Sequence, residues 1–149
     1  MSMQAGKLDE LAEKLFGISG ETLMDNAATA LAENIKRKIP QDKTVGIFCG
    51  RGKNGGDGFL LACKLSDAGY KVKAVLCFER GDRVNPLTQN AMELASQKCI
   101  PVLSLDNFQG ADVYIDAVLG TGFAGDIGGL YLLFKSLPIL KRTVRIWRI

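Results

Sequence analysis

The chain has 149 residues, 47% hydrophobic and 23% charged, which suits one compact domain able to build its own core. Its net charge of +3 is uneven: residues 135–149 hold five basic residues and no acid, while the remainder carries 14 basic against 16 acidic residues. The body is therefore not a basic nucleic-acid-binding surface; with no histidine and no C-x-x-C pair a structural zinc site is excluded, and no run of about 18 apolar residues is present to span a membrane.

Leu8, Leu11, Ala12 and Leu15 recur at helical spacing and predict a short first helix ended by Gly17. Thr22 and Asp25 mark a capped second start. Leu23, Ala27, Leu31, Ile35 and Ile39 follow at intervals of four, with alanines between, and Pro40 stops the helix. Residues 44–49 are apolar and partly β-branched, a strand. Residues 50–58 hold five glycines and form a loop. A helix is expected over 59–68, a strand over 71–78, a polar loop to Pro86, and a helix over 87–98. Short strands are expected at 100–103 and 112–119. Residues 120–129 form a second glycine-rich loop, 130–137 a helix, and 143–149 begin a fifth strand.

Strands alternating with helices imply an α/β fold: a Rossmann-like three-layer αβα sandwich with a mainly parallel sheet. Right-handed crossovers favour strand order 3-2-1-4-5. In such a sheet a ligand binds beyond the carboxyl ends of the strands where the winding reverses, between strands 1 and 4. The loops leaving those strands are the two glycine-rich segments, so topology and composition select one place.

The first loop reads Gly50-Arg51-Gly52-Lys53-Asn54-Gly55-Gly56-Asp57-Gly58. Glycine lets backbone approach a ligand, and the helix start that follows suits a phosphate. The bland alternative is a tight turn. Gly50, Gly52 and Gly55 also fit G-x-G-x-x-G, which alone suggests a dehydrogenase with Glu79 as ribose acid. Asp57 beside a phosphate would repel it, so it either accepts a ligand hydroxyl or fixes the loop. Asp116 lies in an apolar strand, where a carboxylate is costly unless paired or bound to a cation; backbone amides are the alternative. Gly120, Thr121 and Gly122 offer a hydroxyl and backbone N–H groups to a second part of the ligand.

At these residues the chain resembles the NAD(P)H-hydrate epimerase family, the YjeF N-terminal domain. The family's Asn-Gly-Gly-Asp-Gly loop stands here as Asn54-Gly55-Gly56-Asp57-Gly58. Its Asp-Ala-x-x-Gly-Thr-Gly motif stands as Asp116-Ala117-Val118-Leu119-Gly120-Thr121-Gly122. Its Leu-Met-x-Asn-Ala helix stands as Leu23-Met24-Asp25-Asn26-Ala27. The resemblance implies epimerisation of the R and S forms of hydrated NADH and NADPH, a repair of nicotinamide nucleotides. It implies substrate contacts from Lys53, Asn54, Gly55, Gly56 and Asp57, and from Gly120, Thr121, Gly122, Phe123, Ala124, Gly125 and Asp126. It implies a potassium ion held by Asn54 and Asp116, and a partner or fused dehydratase that restores the cofactor.

Two departures stand out. Lys53 occupies a position where the family has asparagine, and lysine can still pair with phosphate. Where the family runs on into an Asp-x-Pro-Ser-Gly segment, this chain reads Lys141-Arg142-Thr143-Val144-Arg145-Ile146-Trp147-Arg148-Ile149. The expectation is a single domain over 1–149, truncated, with an atypical basic tail over 135–149 and reduced epimerase activity. Arg145 and Arg148 are poor residues for the interior of a central strand.

Without histidine, proton transfer falls to Asp57, Asp116, Asp126 or a bound water. Three of the four cysteines, Cys49, Cys63 and Cys77, sit in apolar stretches and read as buried free thiols of a reducing compartment; Cys99 is the fourth. The N-terminus lacks a signal-peptide core, so the cytoplasm is expected; a homo-oligomer is expected as well. The rivals are a non-catalytic nucleotide- or RNA-binding scaffold module of the same fold and a nicotinamide-dependent dehydrogenase. Ligand choice among hydrated dinucleotide, intact NAD and RNA separates them.

Overall fold

In a computed structural model of the chain, five parallel strands pair in the order β3-β2-β1-β4-β5. They are β1 (Thr44–Cys49), β2 (Lys71–Leu76), β3 (Val102–Ser104), β4 (Val113–Ala117) and β5 (Ile146–Arg148). Among the described residues they are accompanied by α1 (Gly20–Lys38), α2 (Lys53–Asp67) and α3 (Pro86–Gln97). The structure describes Leu11, Lys14 and residues 17–79, 81–118 and 146–148. Leu11 and Lys14 are helical and exposed; Leu8, Ala12 and Leu15 of the expected first helix lie outside the described residues, as does the helix expected over 130–137.

The strand order is the one the crossover rule favours. β1 has the expected bounds, β2 and β4 stop at Leu76 and Ala117, earlier than expected, and β3 is shifted to Val102–Ser104. α1 begins earlier than Thr22, because Ser19 supplies the cap: its backbone is extended, and its hydroxyl accepts the Thr22 N–H at 3.1 Å. Lys36, Arg37 and Lys38 occupy the last turn, where positive charge suits the helix dipole. The residues α1 buries are Met24, Ala28, Ala32 and Ile35. This stripe is turned by one position from the expected one, leaving Leu23, Ala27 and Leu31 half-buried at its edge. Alanine wins the inner positions because α1 packs closely on α2.

The largest departure is at the first glycine loop. α2 starts at Lys53, not Phe59, so the Asn54–Gly58 motif forms its first turns. Phe59, Leu61 and Leu65 of α2 are fully buried. Each contributes about 1.5–3 kcal/mol by leaving water.

Strand side chains alternate between two clusters. Val45, Ile47, Cys49, Val72, Ala74, Val113, Ile115 and Ala117 meet all three helices. Phe48, Val75 and Tyr114 face the other way, where they are covered by Phe108 from the connection after β3. That connection contains a single 3-10 turn, Leu105–Asn107. Phe108 stands edge-on to both Phe48 and Tyr114, at ring distances of 5.5 and 5.8 Å. Among the described residues, helices therefore cover one face and an aromatic cluster the other.

Candidate functional site

The carboxyl ends of three strands are laced by backbone. The Gly50 N–H reaches the Ala117 carbonyl at 3.2 Å, and the Cys77 N–H reaches the Cys49 carbonyl at 3.0 Å. The chain then turns through residues 50–52 into α2. The turn is held from the side by α3. The Asn85 N–H bonds to the Arg51 carbonyl at 2.8 Å, and the fully buried Thr88 hydroxyl donates to the Gly52 carbonyl at 2.7 Å.

All three glycines of the Asn54–Gly58 motif serve close packing. A Cβ on Gly55 would fall on the Gly50 carbonyl oxygen. One on Gly56 would press on Met24 of α1 and come within 2.9 Å of the Thr88 hydroxyl oxygen. One on Gly58 would lie 2.7 Å from the Ala117 Cβ on β4. Glycine content thus brings α2 down onto the sheet and between its two neighbours, which places its N-terminus at the reversal point.

That N-terminus differs from the other two. Ser19 caps α1 and Asn85 caps α3 through side-chain oxygens, the latter accepting the Leu87 N–H at 2.9 Å. Among the described residues no side chain caps α2, and its first turn contains no acid. A helix start of this kind favours an anion. Lys53 and Asp57, one turn apart on α2, both line a cavity of about 270 Å³. Gly20, Leu23, Met24 and Ala27 of α1 and Leu87 of α3 complete its wall. A second cavity of about 220 Å³ lies beyond Met24 and Leu87, with Glu21, Asp25 and Asn90 on its rim.

Asp116 is 5% exposed in β4, in register with Phe48 of β1. Its carboxylate accepts the Val118 N–H at 2.9 Å, so a backbone amide meets part of its need. Strand alternation turns it to the face away from α2, near Cys77. Burial, and then the Asp116 charge, push the Cys77 thiol up to about 12; it is half-buried and no nucleophile at neutral pH. Burial also raises Cys49 and Cys63. Cys99 is exposed.

Of the expected site residues, the structure brings Lys53 and Asp57 to one cavity. Asn54 is half-buried in the same helical turn, and Gly55 and Gly56 are packing positions. Asp116 stands on the neighbouring strand end. Gly120, Thr121, Gly122, Phe123, Ala124, Gly125 and Asp126 lie outside the described residues. Glu79, the acid of the dehydrogenase reading, is exposed in a turn where its N–H bonds to the Asp82 carboxylate at 2.9 Å. Sequence reasoning missed the α1 wall and the Thr88 latch. The signal for the wall was there in the small residues Gly20 and Ala27, two turns apart on one helix side. A lone threonine in α3 gave none.

A parallel sheet of this order, with a glycine-rich helix start at its reversal point, defines a Rossmann-like α/β protein. Residues 20–137 match the family described as YjeF-related protein N-terminus, and the chain belongs to that family. It is 31% identical over 145 residues to the NAD(P)H-hydrate epimerase of Rhodopirellula baltica, covering 94% of this chain and 59% of that one. To the NAD(P)H-hydrate epimerase of Entamoeba histolytica it is 33% identical over 142 residues, covering 93% and 62%. To the bifunctional NAD(P)H-hydrate repair enzyme Nnr of Pyrobaculum aerophilum it is 38% identical over 125 residues, covering 78% and 25%. The chain thus spans about a quarter of the bifunctional relative and about three fifths of the epimerases. The crystal structure of yeast ynu0 shares the fold, with a TM-score of 0.83 and 22% identity over 99% of this chain and 68% of that one. Among the described residues no helix is long and apolar enough to cross a membrane.

Proposed function

We propose that this chain acts as an NAD(P)H-hydrate epimerase, interconverting the R and S forms of hydrated NADH and NADPH. The observation that carries the reading is the uncapped start of α2, with Lys53 and Asp57 on one cavity. Backbone N–H groups and the Lys53 ammonium suit the pyrophosphate. Asp57, half-buried, suits a hydroxyl and is one of the groups able to move a proton; Asp116, Asp126 or a bound water are the others. Gly120, Thr121, Gly122, Phe123, Ala124, Gly125 and Asp126 are proposed to meet the rest of the dinucleotide.

Asn54 and Asp116 are proposed to hold potassium. Their donors fit: an amide oxygen and a carboxylate oxygen are the hard ligands such a cation takes, and a carboxylate 5% exposed in an apolar strand gains from a cation. Bound there, the ion would supply positive charge at the strand ends. A dehydratase that restores the cofactor is the partner this reading implies, and the cytoplasm is its setting.

The test is NMR exchange between the two epimers of hydrated NADH. Wild type is expected to exchange them, and Asp57→Asn to slow exchange by at least tenfold. Absence of exchange together with tight RNA binding would replace this reading by that of a scaffold module.

A further inference from the structure

We infer that α1 is part of the substrate site: Leu23 and Ala27, with Leu87 of α3, form an apolar wall that packs against the ring of the hydrated nicotinamide and sets specificity. The inference rests on the proposed epimerase function and adds to it a helix that the glycine-loop motifs do not include.

The cavity that Lys53 and Asp57 line has two kinds of wall. One is the polar start of α2. The other is Leu23, Met24 and Ala27 of α1 and Leu87 of α3. Its volume of about 270 Å³ is just under the roughly 300–1,000 Å³ of pockets that enclose a drug-sized ligand. A whole dinucleotide, with two rings, two sugars and a pyrophosphate, exceeds that. One ring with its sugar fits. If the pyrophosphate sits on the N–H groups of α2, one nucleoside half lies against these side chains. A hydrated nicotinamide ring is uncharged and partly saturated, and it carries a carboxamide and one ring hydroxyl. The apolar wall suits its body and Asp57 suits its hydroxyl.

The wall is also tied to the phosphate-binding turn. Leu87 follows the cap residue Asn85, whose N–H is bonded to Arg51, and precedes Thr88, whose hydroxyl is bonded to Gly52. Across the cavity mouth α1 approaches Leu87 so closely that a Cβ on Gly20 would lie 3.0 Å from the Leu87 Cδ1. The Leu87 part of the wall and the turn are therefore tied together, which sets the distance from phosphate to ring. That fixed distance is what a ring-selective site requires.

The experiment uses methyl and amide NMR of the 149-residue chain titrated with hydrated NADH. The expected result is ring-current shifts at the Leu23, Ala27 and Leu87 methyls, with shifts at the Lys53–Asp57 amides. Amide shifts with unmoved methyls overturn the wall and leave the epimerase reading intact. Shifts at both without epimer exchange sustain the wall and overturn the catalytic reading. No shift at either overturns both. As a second arm, Ala27→Leu narrows the cavity. It is expected to raise KM for hydrated NADH at least tenfold while kcat changes less than threefold, and to leave the affinity for ADP, which lacks the nicotinamide ring, within twofold. An unchanged KM overturns the proposal.

Discussion

The two ends of the sheet are built from different materials. At the amino end, side chains bind backbone. The Asp112 carboxylate accepts both the Thr44 N–H, at 2.9 Å, and the Thr44 hydroxyl, at 3.0 Å. The Tyr70 hydroxyl donates to the Ile39 carbonyl at 2.6 Å, and the Gln41 amide donates to the Ala68 carbonyl at 2.8 Å. At the carboxyl end, backbone binds backbone across the strand ends, and glycine lets helix and sheet close up. Thr88 and Asp116 add side-chain bonds to backbone there. The difference has a physical meaning. Polar side chains at the amino end hold the fold, whereas at the carboxyl end glycine packing brings α2 onto the sheet, and Lys53 and Asp57 line a cavity. A site needs rigidity and functional groups in one place, and glycine packing supplies the rigidity.

The sharpest way to break this comparison is to spoil the glycine packing. Gly55→Ala would drive its Cβ onto the Gly50 carbonyl oxygen, a backbone atom that cannot swing aside. We expect a loss of about 3 kcal/mol or more in urea unfolding, at the upper end for overpacking. Gly52→Ala is the control, because its Cβ would meet nothing within 4 Å and its φ of −85° suits any residue. It should change stability by less than about 1 kcal/mol. Equal effects at the two positions would mean that flexibility, not packing, is what the glycines provide.

The contrast also explains how much was legible in the sequence. The strand order followed from alternation and handedness, and β1 from its β-branched run. The reversal point, and hence the site's location, followed from those. The start of α2 did not. Five glycines between 50 and 58 read as loop because glycine weakens an isolated helix by roughly 1 kcal/mol each. Tertiary contact with Met24, Thr88 and Ala117 outweighs that penalty, and no local pattern records such contact. The one-position rotation of the buried stripe in α1 escaped for the same reason: periodicity gives a stripe, and packing partners decide which edge of it goes inside. Asp116 was legible as an anomaly, a charge in an apolar strand, and it is indeed buried at 5% exposure.

A smaller effect sharpens the role of glycine elsewhere. The turns that follow α2 and α3 are alike. Tyr70 N–H bonds back to Leu65, and Ile100 N–H bonds back to Ala95, at 3.0 and 3.1 Å. Each turn needs a left-handed residue. Gly69 fills it in one, at φ 93°, and Cys99 in the other, at φ 61°. Cysteine pays a steric penalty there that glycine avoids. Cys99→Gly should therefore raise stability by about 0.5–1 kcal/mol, seen as roughly 1–4 °C in thermal melting. Gly69→Ala should lower it, since its Cβ would also collide with the Gln41 amide. A destabilised Cys99→Gly would show that the exposed thiol makes a contact worth more than the strain.

The smallest expected effect lies at the amino end and concerns pH. Asp112 is exposed, so solvent screens its charge, yet its carboxyl is held below the ordinary value, first by the Thr44 N–H and then by the Thr44 hydroxyl. A carboxylate depressed in the folded state adds stability that is complete above the unfolded pKa of about 4 and is lost as pH falls through the folded pKa. Asp112→Asn removes the titrating group and keeps an oxygen able to accept one of these bonds. Wild type should thus melt slightly higher than the variant at pH 5–8, by a constant gap. From pH 4 downward the gap should close as the wild-type carboxylate takes up its proton. Melting curves for the two proteins at half-unit steps from pH 2.5 to 7 decide it. A gap that persists unchanged to the lowest pH would show that the bracket depends on shape and hydrogen-bond number, not on charge, and the amino end would then be held by geometry alone, as the carboxyl end is.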